Sequence, residues 1–490
     1  MSLHGLHGGG GSGSNAVSTV KNDYAYCARS PTWNPTRYAT DLELLDRVAA
    51  RLSKDDDFYG AIAESFSLPP AGPATTTNTK TKGRNSSNNS SSGGGGDTYV
   101  YHAIISITLA QAQHAVSLGG ADNLHAWYRD APSPSSASSS TSASTSIEKE
   151  APPPQPHPNP PSPADVDAYL SIFDPFTATG AALRSFAANA RKDSVRRRVA
   201  EYLLAKRFLH PALLPGLEIP RVKKPKKKNN PNNDDNTTDT PTTTPTTTTT
   251  TTTKDNPHPP PDPYYIFASW AARNLEWAGP CDLSEGAPGG GHRGHPVLPI
   301  LMHHFGCVCP SYEALEVLRV LAAGREVVDA GSGNGYWTFM LRQHGVRCVP
   351  VDSMQSRWRA NWVRDTVVAD AAEWLGRQRG PAGGGGDQVL LVVYPIVGGG
   401  VAGGEEGGFT RGLIQAYRGD TLAVVGTQNR NGYTGFVGRS MDEYMAAEEP
   451  EWVKVVQVSL PSFPGKDDVL FVFQRGARAA KLRTEEGVGE

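Results

Sequence analysis

The stretch EVVDAGSGNGYWTFML, residues 326–341, sets three glycines at alternate positions, Gly331, Gly333 and Gly335. A short apolar run precedes them and a helical pattern follows. An aspartate, Asp329, stands two residues ahead of the first glycine. Glycine reaches backbone angles that other residues avoid, and it brings no side chain to block a close approach. A glycine loop between a strand and a helix therefore reads as a cradle, with the helix N-terminus turned towards whatever is bound. In α/β sheets such loops lie at the carboxyl ends of strands, where ligands bind. The dinucleotide fingerprint G-x-G-x-x-G is not met, because position 336 is a tyrosine where a pyrophosphate needs room. That disfavours a nucleotide-dependent oxidoreductase.

Outward from the loop, helix and strand patterns alternate between about 263 and 475. SYEALEVLRVLA, EVVDA, GYWTFMLRQHG, CVPVD, TVVAD, AAEWLGRQ, QVLLVVY, FTRGLIQAYRG and TLAVVGTQ follow one another. Several strands are short and continuously apolar, as expected when helices cover both faces of a sheet. The alternation predicts a mainly parallel α/β sheet. The last two strand candidates, 452–460 and 469–474, are separated only by PSFPGKD and predict an antiparallel hairpin.

The spacing D-x-G-x-G-x-G resembles the first motif of the class I S-adenosylmethionine-dependent methyltransferases. The resemblance spans roughly 310–475. It implies a Rossmann-like, seven-stranded, mainly parallel sheet closed by a C-terminal antiparallel hairpin. It also implies in-line methyl transfer from the donor sulfonium to an acceptor. Asp329, Gly331, Ser332, Gly333, Asn334 and Gly335 would cradle the donor. Asp352, in CVPVDSM, would hold the ribose hydroxyls, with Ser353 beside it, because a carboxylate accepts two hydrogen bonds at once. Asp370, in TVVADAAEWL, would stand near the adenine amine, with Ala371 and Trp374 forming an apolar slot. Asp329 has a second reading as a structural cap of the loop's N–H groups.

Two departures from the family pattern set further expectations. Pro350 inside the second strand removes a ladder N–H and predicts a late start or a bulge there. Tyr394-Pro395-Ile396 after the fourth strand keeps one proline of the Asp/Asn-Pro-Pro-Tyr/Phe motif of amine methyltransferases. The acceptor is therefore left open as a small molecule, a protein or an RNA. Tyr394 is the one catalytic candidate, lining the methyl-transfer channel or packing beneath the lid read in IVGGGVAGGEEGG, residues 396–408. The donor is already activated, so positioning and exclusion of water matter more than a catalytic triad, and none is seen. Of Tyr336 and Trp337, one is expected at the donor and the other in the core. Trp358 and Trp362 read as a pocket border or as part of a surface helix.

The stretch GHRGHPVLPILMHHFGCVCP, residues 291–310, gathers His292, His295, His303, His304, Cys307 and Cys309. It lacks a paired ligand knuckle, so no metal is assigned. It reads as a loop over the donor pocket, with His303, His304 or Tyr312 contacting ligand.

The remainder sets the organisation of the 490 residues. Residues 1–39 read as irregular. A helical region follows over 40–220, broken by polar, low-complexity insertions at 70–97 and 131–163. Residues 221–262 read as a disordered linker, 263–478 as the methyltransferase-like domain, and 479–490 as a tail. Such insertions carry too few apolar side chains to offset chain entropy. TDLELLDRVAARL, residues 40–52, sets Thr40 and Glu43 at capping-box spacing with Leu42, Leu45, Ala49 and Leu52 on one face. DAYLSIF, from 167, and SVRRRVAEYLLAKRFL, 194–209, are also helical, the second with a stripe of Val195, Val199, Tyr202 or Leu203, and Leu209. AIISITLAQAQHAVSL, 103–118, reads as a buried helix, too short and polar to cross a bilayer. Five cysteines, an odd number, point to a reducing compartment. The start MSLHGLHGGGGSGSN lacks the features of a signal peptide. A net charge of −2 gives no global pull towards nucleic acid. Cytoplasmic residence away from membranes is expected, and Lys223–Lys228 offers a nuclear-import alternative. Oligomeric state is not written in the sequence. Two readings of function stand: a methyltransferase, or a methyltransferase-like domain that serves as a binding or interaction module.

Overall fold

The structure is a computed structural model. It describes residues 26–69, 97–103, 105–119, 127–130, 155–156, 159–217, 219–220, 222, 259–281, 295–354, 358–378, 387–395, 406–436 and 438–479. His292, Lys223–Lys228, residues 396–405 of the expected lid and most of the low-complexity stretches lie outside these residues.

The chain from 327 onwards supplies seven strands of one sheet. They are β1 (Val327–Ala330), β2 (Cys348–Asp352), β3 (Val367–Val368), β4 (Val389–Val393), β5 (Thr421–Thr427), β6 (Val453–Ser459) and β7 (Asp468–Gln474). Their order is β3-β2-β1-β4-β5-β7-β6. The first five are parallel, and β7 runs antiparallel between β5 and β6. The expected terminal antiparallel pair is therefore present.

An eighth strand was not expected. Phe208–Leu209 pairs antiparallel with β6, Leu209 opposite Val456 and Phe208 opposite Gln457. The helix read to Leu209 stops at Lys206, where Arg207 turns to extended backbone. Leu209 thus leaves the helical stripe, which is Val195, Val199, Ala200 and Leu203. Strand edges present unpaired N–H and C=O groups, and the short segment covers part of the edge that β6 would otherwise expose.

Alternation along the strands feeds two cores. Val327, Leu391, Val425 and Val472 point into one, shared with the helix Tyr336–Gln343 and the N-terminal helices. Val328, Leu390, Val424 and Phe471 point into the other, under the helices Ala371–Arg377, Gly408–Ala416 and Met441–Glu448. Both faces are covered, which is why the strands read as apolar runs.

Pro350 neither delays nor bulges β2, which pairs in register with β1 from Cys348 to Val351. The carbonyls of Arg347 and Val351 accept from N–H groups of Val327 and Gly331, so the odd-numbered residues face β1. Pro350 therefore turns its missing N–H the other way, and β3 pairs with β2 only at Val351 and Asp352. The proline sits where no ladder bond is needed, and it shortens β3.

In the N-terminal region the helix Leu42–Asp55 is capped by Asp41, whose side chain accepts from the Leu44 N–H. Thr40 instead ends the preceding helix, its hydroxyl bonded to the Thr36 carbonyl at 2.9 Å. Leu42 is 62% exposed, and the buried stripe is Leu45, Val48 and Leu52. The stretch from Ala103 is not one helix: Ser106–Thr108 pairs with Val100–His102, and the helix runs from Leu109 to Leu118 behind a Thr108–Gln111 capping box. At the margins of the polar insertions, Asp97, Ser162 and Asp262 each have partners in the packed structure. Among the described residues, no helix is long and apolar enough to cross a membrane.

Candidate functional site

The C-terminal ends of β1 to β5 and the start of β7 share one edge of the sheet. The glycine loop lies there. Gly331, Gly333 and Gly335 have φ of 75°, 56° and 76°, in the left-handed region that glycine enters without a Cβ penalty. The N–H groups of Gly331 and Ser332 donate to the Val351 carbonyl at 2.7 and 3.2 Å, which ties the loop to β2. Gly335 then opens the helix Tyr336–Gln343, whose first N–H, that of Tyr336, donates to Asn334 Oδ1 at 3.1 Å.

Asp352 is half-buried at the end of β2, and its carboxylate faces the loop. One oxygen accepts from the Gly333 N–H at 2.9 Å and the other from the Met354 N–H at 2.6 Å. Ser353 beside it is exposed. Asp329 is fully buried in β1 and accepts from the Thr338 hydroxyl at 2.6 Å, joining the strand to the helix beyond the loop. Burial pushes its carboxyl up to about 7, against the Thr338 hydrogen bond, and the Asp352 charge adds to the rise. Four buried polar atoms on or beside the loop have no protein partner: Asp329 Oδ1, Ser332 Oγ, Asn334 Nδ2 and Trp358 Nε1.

Aromatic rings lie over two of the glycines. A Cβ on Gly331 would come within 3.2 Å of Phe409, and one on Gly333 within 2.9 Å of Trp358. A Cβ on Gly335 would come within 2.3 Å of Val363. Trp358 and Trp362 belong to no helix. Trp362 is buried, its N–H donates to the Asn334 carbonyl at 2.8 Å, and its indole donates to the His304 carbonyl at 2.6 Å. Phe409 was not singled out in the sequence, where FTRGLIQAYRG reads only as one of the alternating helix and strand patterns.

Other expected contacts fall elsewhere. Tyr336 and Trp337 both point into the core, Tyr336 to Asp262 and Trp337 to the Val308 carbonyl at 3.0 Å. Asp370 is exposed and caps the helix Ala371–Arg377 through the Glu373 N–H at 2.9 Å, with Ala371 buried behind it. His303 and His304 lie on the helix Leu298–Phe305, not on a loop. His304 bonds the Tyr101 hydroxyl at 2.9 Å, and His303 faces the His102 carbonyl at 2.8 Å, with its ring 6.0 Å from that of Trp358. Burial lowers both imidazoles below their usual range and keeps them neutral. Tyr312 bonds the Pro220 carbonyl and packs on His344, away from the loop.

Further along the same edge, Tyr394 follows β4 with φ of 56° and donates its N–H to the Val425 carbonyl at 2.7 Å. Its ring stacks on Tyr433 at 4.7 Å, and the Lys466 ammonium lies 4.5 Å from its centre. Lys466 is buried and bonds the Cys307 carbonyl. Asp468, opposite Thr427 at the start of β7, is buried with Oδ1 unpartnered. Burial raises its carboxyl to about 7, opposed by Lys466 and reinforced by Asp467. Asp467 itself accepts from the Tyr202 hydroxyl of the N-terminal region. Sequence reasoning missed Tyr433, Lys466 and Asp468. The one signal was GKDD, residues 465–468, charges set directly against an apolar strand.

Among the described residues, no three His, Cys, Asp or Glu side chains converge as a metal site. All five cysteines are free thiols.

No family model matches the chain, and no curated protein matches it. Solved structures match part of it. One comes from a study of the conversion of a disulfide bond into a thioacetal group during echinomycin biosynthesis. It is 17% identical, covers 36% of this chain and 88% of its own, and has a TM-score of 0.22. Another is the 1,6-didemethyltoxoflavin-N1-methyltransferase of Burkholderia thailandensis, with bound 1,6-didemethyltoxoflavin and S-adenosylhomocysteine. It is 16% identical, covers 33% of this chain and 76% of its own, and has a TM-score of 0.23. Similarity at this level says nothing of ligand or reaction in this chain.

Proposed function

We propose that the chain is an S-adenosylmethionine-dependent methyltransferase with its donor site at the glycine loop. The observation that carries this reading is the Asp352 carboxylate at the end of β2, bonded to Gly333 in the middle of the loop. Each carboxylate oxygen keeps a further lone pair, enough for the two hydroxyls of a ribose. The order of the sheet, with an antiparallel β7 between β5 and β6, agrees with the fold that the loop resembles.

The residues present fit such a donor. Its ammonium and hydroxyls need acceptors, which Asp329 Oδ1, Ser332 Oγ and Asp352 supply. Its carboxylate and adenine need donors, for which Asn334 Nδ2 and Trp358 Nε1 are free. Asp370 and Ala371 would flank the adenine from the helix start after β3. When bound, the donor supplies an activated methyl group. The chain's task is then to orient the acceptor and exclude water. Tyr394 and Tyr433 offer it an aromatic wall at the end of β4. Asp468, held close to neutral pH by burial, is suited to accept a proton from an O–H or N–H acceptor. The acceptor itself is left as a small molecule, a protein or an RNA, and residence in the cytoplasm, or the nucleus if Lys223–Lys228 directs import, remains part of the proposal. So does the division at about residue 263 between helical region and methyltransferase-like domain.

One observation favours a second reading. Phe409 covers Gly331, as it would in a methyltransferase-like module that works through its surface. Melting of the full chain with S-adenosylmethionine, and separately with NADPH, divides the readings. A ligand that binds only the folded state raises the melting temperature by mass action. The methyltransferase reading expects a rise with S-adenosylmethionine alone. No rise with it overturns that reading.

A further inference from the structure

The N-terminal region meets the stretch beside the glycine loop through a backbone bridge between Cys27 and Ala360, through the packing of Trp33 and Tyr38 on Trp362, and through a buried ion pair. Arg359 and Asp97 are both shielded from water, with side-chain exposures of 0% each. Their contacts are 3.0, 3.2 and 3.3 Å, a forked arrangement that fixes the guanidinium plane. The same guanidinium lies 4.2 Å from the centre of the Tyr99 ring, a cation–π contact within a desolvated site. The backbone is held as well. The Arg359 N–H donates to the His303 carbonyl at 3.1 Å, and its own carbonyl accepts from the Ala28 N–H at 2.7 Å. Residue 359 is therefore gripped from the N-terminal segments 26–30 and 97–103 and from the helix Leu298–Phe305.

What it grips is the stretch that closes on the loop. Trp358, the preceding residue, covers Gly333. Trp362 binds the Asn334 carbonyl, and Val363 covers Gly335. A buried ion pair is weak evidence for stability, because desolvation of both charges offsets their attraction. Its use in fixing one arrangement of neighbouring groups is better attested. Here the neighbours on both sides of Arg359 are loop contacts.

We propose that Arg359 is a positioning residue of the donor site. Paired with Asp97, it holds Trp358 and Trp362 against the glycine loop, so the N-terminal region is part of that site. This rests on the reading of the loop as a donor site. It departs from that reading in giving the N-terminal region a part in ligand affinity. Donor binding and docking of residues 97–101 are then linked, and each strengthens the other by the same factor.

The test uses the full chain labelled with 5-fluorotryptophan, nine sites in all. The Trp358 resonance is identified by its loss in Trp358→Phe. Arg359→Lys, Arg359→Met and Asp97→Asn are compared by the fluorine spectrum and by calorimetric titration with S-adenosylhomocysteine. The proposal expects the Trp358 line to shift or broaden in Arg359→Met. It expects affinity to fall about tenfold, a usual size for coupling carried through packed groups. Arg359→Lys should recover part of both. If Arg359→Met does not fold, Asp97→Asn carries the test, since it keeps the shape and removes the charge. Variants that melt earlier yet keep the Trp358 line and the wild-type affinity would overturn the proposal and leave a purely structural ion pair. Wild-type protein that binds no S-adenosylhomocysteine would remove the donor reading, and with it this role for Arg359. An unmoved Trp358 line beside normal wild-type binding would remove the positioning role alone.

Discussion

The sheet's C-terminal edge has two halves built from different materials. Over β1, β2 and β3, the candidate donor site is mostly backbone: three left-handed glycines, a helix N-terminus and one carboxylate bonded to main-chain N–H groups. Over β4, β5 and β7, the edge is side chains, with Tyr394, Tyr433, Lys466 and Asp468 packed together. A backbone cradle needs a spacing, and a spacing is local. A side-chain cluster needs only that distant residues meet. The difference explains why a ligand can be argued for one half and only a chemistry for the other.

The largest effect should come from the backbone half. Gly335→Ala meets both a left-handed φ of 76° and a Val363 atom 2.3 Å from the new Cβ. Gly345→Ala meets a φ of 75° with nothing within 4 Å. Strain alone costs about 1–2 kcal/mol, and overpacking adds about 1–3 kcal/mol. Urea unfolding should therefore show Gly335→Ala as the clearly worse of the two. Equal losses would mean that the loop is not held by its close approach to Val363.

A smaller effect joins the halves. Asp329 and Asp468 are each raised to about 7, burial being the first cause in both. The unfolded chain gives up these protons near the usual carboxylate value of about 4. Their contribution to stability is complete below that value, falls as pH rises through about 7, and is flat beyond. Asp329→Asn should remove part of this decline, and Asp329→Asn with Asp468→Asn most of it, as read from urea unfolding across that range. In Lys466→Met the Asp468 titration should move upward while that of Asp329 stays put, which carboxyl NMR would show. A joint shift would contradict the separation of the halves.

The smallest expected effect is a null result. Tyr394→Phe removes a hydroxyl from the side-chain half and should leave S-adenosylhomocysteine affinity unchanged in calorimetry. Weakened binding would place Tyr394 in the donor half and blur the comparison.

How much of this was legible follows from sequence distance. Asp352 lies one strand beyond the loop, 19 residues after Gly333, and the resemblance carried by the glycine spacing implied an acidic residue there. The parallel order and the terminal hairpin followed from alternation and from the absence of a helix before β7. Arg359 and Asp97 are 262 residues apart, and Tyr202 and Asp467 are 265 apart, so nothing local links them. Of the two readings of Trp358 and Trp362, the surface helix fails, although two tryptophans among arginines look like one face of a helix. Tertiary contacts with the Asn334, His303, His304 and Tyr26 carbonyls and with Asp97 hold the stretch irregular. The eighth strand escaped for the same reason: Phe208 and Leu209 continue a helical pattern and leave it only because β6 offers a free edge. Asp41 displaced Thr40 as helix cap because both can cap, and Thr40 was already the end of an earlier turn.

The central claim is that the Asp352 carboxylate, seated on the glycine loop, holds the ligand's sugar. Calorimetric titration of S-adenosylhomocysteine into the full chain and into Asp352→Ala tests it most directly. Loss of hydrogen bonds to a charged group costs about 1.5–3 kcal/mol each, so loss of two should lower affinity by at least roughly a hundredfold while the variant stays folded. Equal affinity in the two proteins would contradict the account.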